Sequence, residues 1–153
     1  MVLRITRFME KKTPPPLHFF IPCELPRSTH QSGNTILKTK EGRYFVGKNQ
    51  KGKATAKYLR AILSVFKPTF PIAGAIRVEI EYYMPYLKSA TKAQKQIDPL
   101  PNPKRPDCDN LAKGVLDAMQ AAGYFYDDAQ VYSLQITKAF SHKPGLGVKI
   151  QKE

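Results

Sequence analysis

The sequence predicts an α+β fold, a single domain in which a mixed β-sheet carries two main helices packed on it. Three observations lead there. Apolar residues recur at three- and four-residue spacing in two windows, 54–66 and 109–122. Residues 75–84 alternate with period two. Short apolar runs bounded by Pro, Gly and polar residues flank these windows, giving the order strand, helix, strand, helix, strand, strand. A length of 153 residues suits one domain with a core of its own.

The elements follow from local chemistry. Residues 1–16 end in Pro14-Pro15-Pro16, which suits neither a helix interior nor a sheet ladder, so they are expected to be a flexible lead-in to a domain spanning 17–153. Leu17-His18-Phe19-Phe20-Ile21, closed by Pro22, reads as a strand. Residues 22–53 show little periodicity and read as a long connection. In the first helix, Ala54, Tyr58, Ala61, Ile62, Val65 and Phe66 supply the apolar face, and the helix ends before Pro68. Ile76, Val78 and Ile80 alternate with Arg77, Glu79 and Glu81, as in a strand covered on one face. Five prolines and several lysines make 85–106 an irregular basic loop. The second helix, 109–122, buries Leu111, Val115, Leu116, Met119 and Ala122 and stops at Gly123. Residues 130–140 and 147–152 read as two strands joined by a turn at Lys143-Pro144-Gly145.

Composition narrows the partner. Twenty-five Lys and Arg stand against twelve Asp and Glu, a net charge of +13 with a pI near 9.8, which points to a polyanion and first of all to nucleic acid. No apolar run is long enough to span a membrane and no lipidation motif is present, so a cytoplasmic protein without a membrane partner is expected. Cys23 and Cys108 are far apart in sequence and lack the paired spacing of a zinc site.

Against this basic background the aspartates are concentrated. Asp107, Asp109, Asp117, Asp127 and Asp128 fall within 22 residues, and Asp98 alone lies outside. Carboxylates on a DNA-binding surface repel phosphates unless a cation stands between them. If 107–109 is extended, Asp107 and Asp109 point the same way while Cys108 turns to the core. With Asp127 or Asp128 they would offer the oxygen ligands that Mg²⁺ prefers. Each acid also has a purely structural reading. Asp109 suits a helix N-cap, Asp117 an ion pair with Lys113, and Asp127-Asp128 a polar turn.

The run Arg105-Pro106-Asp107-Cys108-Asp109-Asn110-Leu111-Ala112-Lys113, followed by Asp117-Ala118, Gly123-Tyr124-Phe125 and Asp127-Asp128-Ala129-Gln130-Val131, resembles the signature of the RusA-type Holliday junction resolvases. The resemblance implies that Asp107, Asp109 and Asp128 hold the catalytic metal, with Asp127 as a further neighbour. It also implies that Lys113 is the essential lysine, stabilising charge or positioning the nucleophile. A homodimer using Mg²⁺, or Mn²⁺, to nick opposed strands of a four-way junction follows from the same resemblance. The chain departs from the family pattern in its long 86–104 stretch, in Pro106 and in Cys108, none of which removes a ligand.

Basic residues cluster in 38–67, and Lys38, Lys40, Arg43, Lys48, Lys51, Lys53 and Lys57, together with Arg105, are the expected DNA contacts. Two other readings remain open from sequence. One is a nucleic-acid-binding module without catalysis, and the other is a metal nuclease acting on other branched or single-stranded DNA.

Overall fold

Strict alternation in the sequence becomes the central strand of the sheet. The computed structural model describes residues 15–29, 35–47 and 50–153, apart from the side chains of Thr35, Phe45 and Val46. In chain order the elements are β1 (Leu17–Pro22), β2 (Thr35–Lys38), β3 (Tyr44–Gly47), α1 (Gln50–Ser64), β4 (Ile76–Met84), α2 (Lys92–Lys95), β5 (Leu100–Pro101), α3 (Cys108–Ala122), β6 (Val131–Phe140) and β7 (Gly145–Lys152), with a 3₁₀ turn at Asp128–Gln130. A five-stranded mixed sheet has the order β1-β7-β4-β6-β5, and only β4 and β6 run parallel. Their connection contains α3, as a parallel pair requires a crossover.

One face of this sheet carries the core. Ile76, Val78, Ile80, Tyr82 and Met84 of β4 are buried, as are Leu146, Val148 and Ile150 of β7 and Phe19 and Ile21 of β1. Leu59 and Leu63 of α1, and Leu111, Val115 and Met119 of α3, join them in one apolar cluster. Two buried phenols find backbone acceptors, Tyr82 on the carbonyl of Pro26 at 2.7 Å and Tyr124 on that of Leu63 at 2.7 Å. Burial pushes both phenols well above the ordinary tyrosine range.

Three expectations need correction. First, α1 begins at Gln50 and buries Gly52, Thr55, Leu59 and Leu63, while Tyr58, Val65 and Phe66 are exposed. The face through Ala54, Tyr58 and Ala61 has the same spacing, but Leu59 and Leu63 remove more apolar surface from water, and they set the helix's rotation. Its first turn is silent in the sequence because the residue it buries there, Gly52, gives no apolar signal.

Second, residues 22–53 are not wholly irregular. Thr35–Lys38 and Tyr44–Gly47 form a separate antiparallel hairpin. Its turn is closed by Thr39 N–H donating to the Arg43 carbonyl at 2.8 Å and by Gly42 at φ 85°. Strands of four residues are too short for alternation to stand out.

Third, the 85–106 stretch is pinned along its length. Thr91 and Gln94 form a reciprocal cap on α2. Leu100 and Pro101 pair with the end of β6. The His142 N–H donates to Asp98 at 3.2 Å, and its Nε2 bonds the Lys95 carbonyl at 2.8 Å. The lead-in expected for 1–16 falls, for residues 1–14, outside the described residues.

Candidate active site

Asp107 and Asp109 stand at the head of α3, and the helix itself puts them there. Asp107 is extended (φ −75°, ψ 149°), and its carbonyl accepts the first helical bond, from Leu111 N–H at 3.1 Å. The chain is therefore helical from Cys108, and the alternation of an extended segment does not relate the two acids. They occupy the N-cap and second helical positions instead, where negative charge complements the helix dipole. The Asp107 side chain makes no capping hydrogen bond. Both residues are exposed, and neither carboxylate has an ion pair among the described residues. Their oxygens are available as hard ligands, and two such carboxylates from one chain fit what Mg²⁺ commonly takes beside water and substrate phosphate.

The segment leading into this helix is held firmly. Lys138 of β6 donates from Nζ to the carbonyls of Lys104 and Pro106, each at 2.6 Å. Lys104 N–H is held by Asn102 Oδ1 at 2.9 Å, and Asn102 is buried. Asp107 thus sits level with Lys138, near the C-terminal end of β6.

Lys113 lies one turn beyond Asp109 on the same exposed face of α3. It pairs with Asp117 at 3.3 Å, the structural role expected for Asp117. Both partners are about half exposed, so the pair adds no more than about 0.5 kcal/mol.

Asp127 and Asp128 lie elsewhere. Asp127 caps the 3₁₀ turn, accepting from Ala129 N–H at 2.8 Å. Asp128 starts that turn with its side chain exposed, and its backbone N–H donates to Gln120 Oε1 at 3.1 Å. Gln120 lies eleven residues after Asp109 on α3, about 16 Å of axial rise. The sheet agrees, because Asp128 precedes Val131 at the start of β6, and Val131 to Lys138 spans about 23 Å of strand. One copy of the chain therefore brings Asp107, Asp109 and Lys113 to one end of α3 and carries Asp128 to the other. Among the described residues no three His, Cys, Asp or Glu side chains gather as a metal cage.

Gln130, also in the motif, is a clamp. Its Oε1 accepts from the N–H groups of Tyr126 (2.8 Å) and Asp127 (3.1 Å), and its Nε2 donates to the carbonyls of Ile72 (3.0 Å) and Gly74 (2.8 Å). The signal that could have found this role is the Asp127-x-x-Gln130 spacing, which is that of a capping box.

The lysines at the start of α1, Lys51 and Lys53, lie toward the same end as Asp107. Lys51, Lys53 and Lys57 lie on the exposed side of α1. Near the middle of that helix, Thr55 and Leu59 share a small cavity with Asn110, Leu111 and Gly114 of α3. Farther along, Lys57 and Arg60 line a groove with Gly114, Asp117 and Ala121. The two helices thus run side by side in the same sense, and the lysine-rich start of α1 neighbours the acidic start of α3. Lys38, Lys40 and Arg43 are on the hairpin that leads into α1, with Lys38 Nζ 5.4 Å from the centre of the exposed Tyr44 ring. Lys48 and the Phe45 side chain fall outside the described residues. Arg105 is exposed beside Asp107. Arg27, which no motif flagged, lines the same small cavity as Arg105 and Asp107.

No helix of the described chain is long and apolar enough to cross a membrane. Comparison with known proteins agrees with the motif. The chain is 31% identical over 107 residues to the uncharacterized protein YqaN of Bacillus subtilis (strain 168), an alignment covering 67% of this chain and 75% of that protein. The family described as endodeoxyribonuclease RusA matches residues 26–151, which include the hairpin, both long helices and every aspartate discussed above. The chain belongs to the RusA endodeoxyribonuclease family.

Proposed function

We propose that this protein is a metal-dependent, structure-selective DNA endonuclease that resolves four-way (Holliday) junctions by paired symmetric nicks. Residues 17–153 form its catalytic domain, and Mg²⁺, with Mn²⁺ as the alternative, is its cation. The observation that carries this reading is a pair of exposed carboxylates at the head of α3, in a strongly basic chain of a nuclease family. Asp107 and Asp109 hold the cation, which when bound would polarise the scissile phosphate and lower the pKa of nearby water. Lys113 supplies positive charge one turn away, and the basic residues of α1 and the hairpin hold the DNA backbone.

The distance to Asp128 gives a reason for a homodimer. Along β6, only Phe140 and Ala139 pair with β5, so Val131–Thr137 has no strand on that edge among the described residues. Tyr132 and Leu134 of this stretch are 52% and 43% exposed. A second copy laid antiparallel across this edge, with its twofold axis near the middle of β6, sets Asp128 of each copy near the Asp107 and Asp109 end of the other. Two such sites related by the axis suit two symmetric incisions.

The test is cleavage of a synthetic four-way junction against a linear duplex of the same sequence, with Mg²⁺ and with EDTA. Paired nicks confined to the junction and to Mg²⁺ are expected; binding without cleavage would contradict the reading. A separate expectation concerns the basic surface. Replacing Lys51 and Lys53 together by Gln should weaken binding and flatten the plot of log K against log salt by about 1.8, roughly 0.9 for each phosphate no longer neutralised. An unchanged slope would mean that these lysines do not meet DNA phosphates.

A further inference from the structure

The cavity beside Asp107 joins residues that the sequence keeps far apart. About 270 Å³ in volume, it is lined by Arg27, Thr29, Arg105, Pro106, Asp107 and Asn110. Arg27 comes from the segment after β1, and Arg105 from the segment before α3, 78 residues later.

Both arginines are exposed at the side chain but anchored through their neighbours. On one side of Arg27 the Pro26 carbonyl accepts from the buried Tyr82 phenol, and on the other the Ser28 hydroxyl bonds Thr55 of α1 at 2.8 Å. Buried Leu25 and Thr29 flank the segment. Arg105 is bracketed in the same way, since the carbonyls of Lys104 and Pro106 both accept from Lys138. Neither guanidinium forms an ion pair among the described residues. Two positive forks are thus held over one cavity whose remaining charged group is the Asp107 carboxylate.

A guanidinium presents parallel donors that match the oxygens of a phosphodiester, and anchoring its backbone in advance lowers the ordering cost of binding. A phosphate seated here would be balanced by two positive charges against one negative, and would lie against the acid assigned to the cation. We infer that Arg27 and Arg105 together seat one phosphate of the substrate strand next to Asp107, and that Arg27 is a positioning residue for cleavage. This rests on the endonuclease reading above.

The experiment is a binding cycle. Wild type, Arg27→Gln and Arg27→Lys are titrated without metal against four-way junctions that each carry one neutral methylphosphonate, stepped through the strand around the nick. In wild type, neutralising the seated phosphate should weaken binding about tenfold, the lower end of what one hydrogen bond to a charged group contributes. In Arg27→Gln that penalty should shrink at this one position, where Arg105 alone remains, and persist unchanged elsewhere, with thermal stability unchanged because the side chain is exposed. Arg27→Lys should keep part of it. A wild-type pattern of penalties in Arg27→Gln overturns the assignment of Arg27 and leaves the endonuclease reading standing if the junction is still cleaved. Failure of wild type to bind any junction overturns both.

Discussion

Asp109→Asn is expected to lower junction cleavage by about three orders of magnitude or more, the scale of a missing metal ligand together with its electrostatic stabilisation of the transition state. Binding to the junction should hold or tighten, because the change removes a negative charge from a surface that meets phosphate. Stability should fall by no more than about 1 kcal/mol, since the carboxylate is exposed and contributes only its interaction with the start of the helix. Single-turnover cleavage, anisotropy and denaturant unfolding of the same preparation measure the three quantities. An Asp109→Asn protein that cleaves normally would remove Asp109 from the site. One that loses cleavage only because it unfolds would assign Asp109 to structure alone.

The second large effect is expected at Lys113. Lys113→Ala should reduce cleavage by about two to three orders of magnitude because developing charge is no longer stabilised, with little change in affinity. The exposed pair with Asp117 gives the control. Asp117→Asn breaks the same ion pair and leaves the lysine in place, so it should cleave at close to the wild-type rate. If both variants lose activity equally, the pair matters as a structural unit and Lys113 has no role in the chemistry. The two substitutions should shift stability by similar small amounts, about 0.5 kcal/mol or less.

What the sequence made legible was whatever repeats over a long enough window. β4 alternates over nine residues and α3 keeps its apolar spacing over fifteen, and both stand where periodicity placed them. α3 also ends at Gly123, whose φ of 93° is the left-handed cap expected of that glycine. Short or unusually buried segments were not legible. The hairpin strands have four residues each, β5 has two, and the first turn of α1 packs only a glycine. In the candidate site, motif spacing pointed to Asp107, Asp109, Lys113 and Asp128 but carried no information on distance along α3. The fifteen-residue helix is what separates Asp128 from the others. Arg27 was hidden for a different reason, because it reaches the site through the tertiary anchoring of Pro26 and Ser28 and belongs to no motif.

A site whose carboxylates come from two copies is tested most directly by mixing two inactive variants. Asp109→Asn and Asp128→Asn chains, each inactive alone, are unfolded together, refolded at equal ratio and assayed on the four-way junction. In a shared arrangement the mixed dimer has one site with both substitutions and one with neither. Single-strand nicking should therefore return to about a quarter of the wild-type level, because about half of the dimers are mixed and each keeps one of two sites, while paired incision should stay absent. If the mixture stays as inactive as its components although subunits exchange, each site is built within one chain, and the arrangement across β6 is wrong.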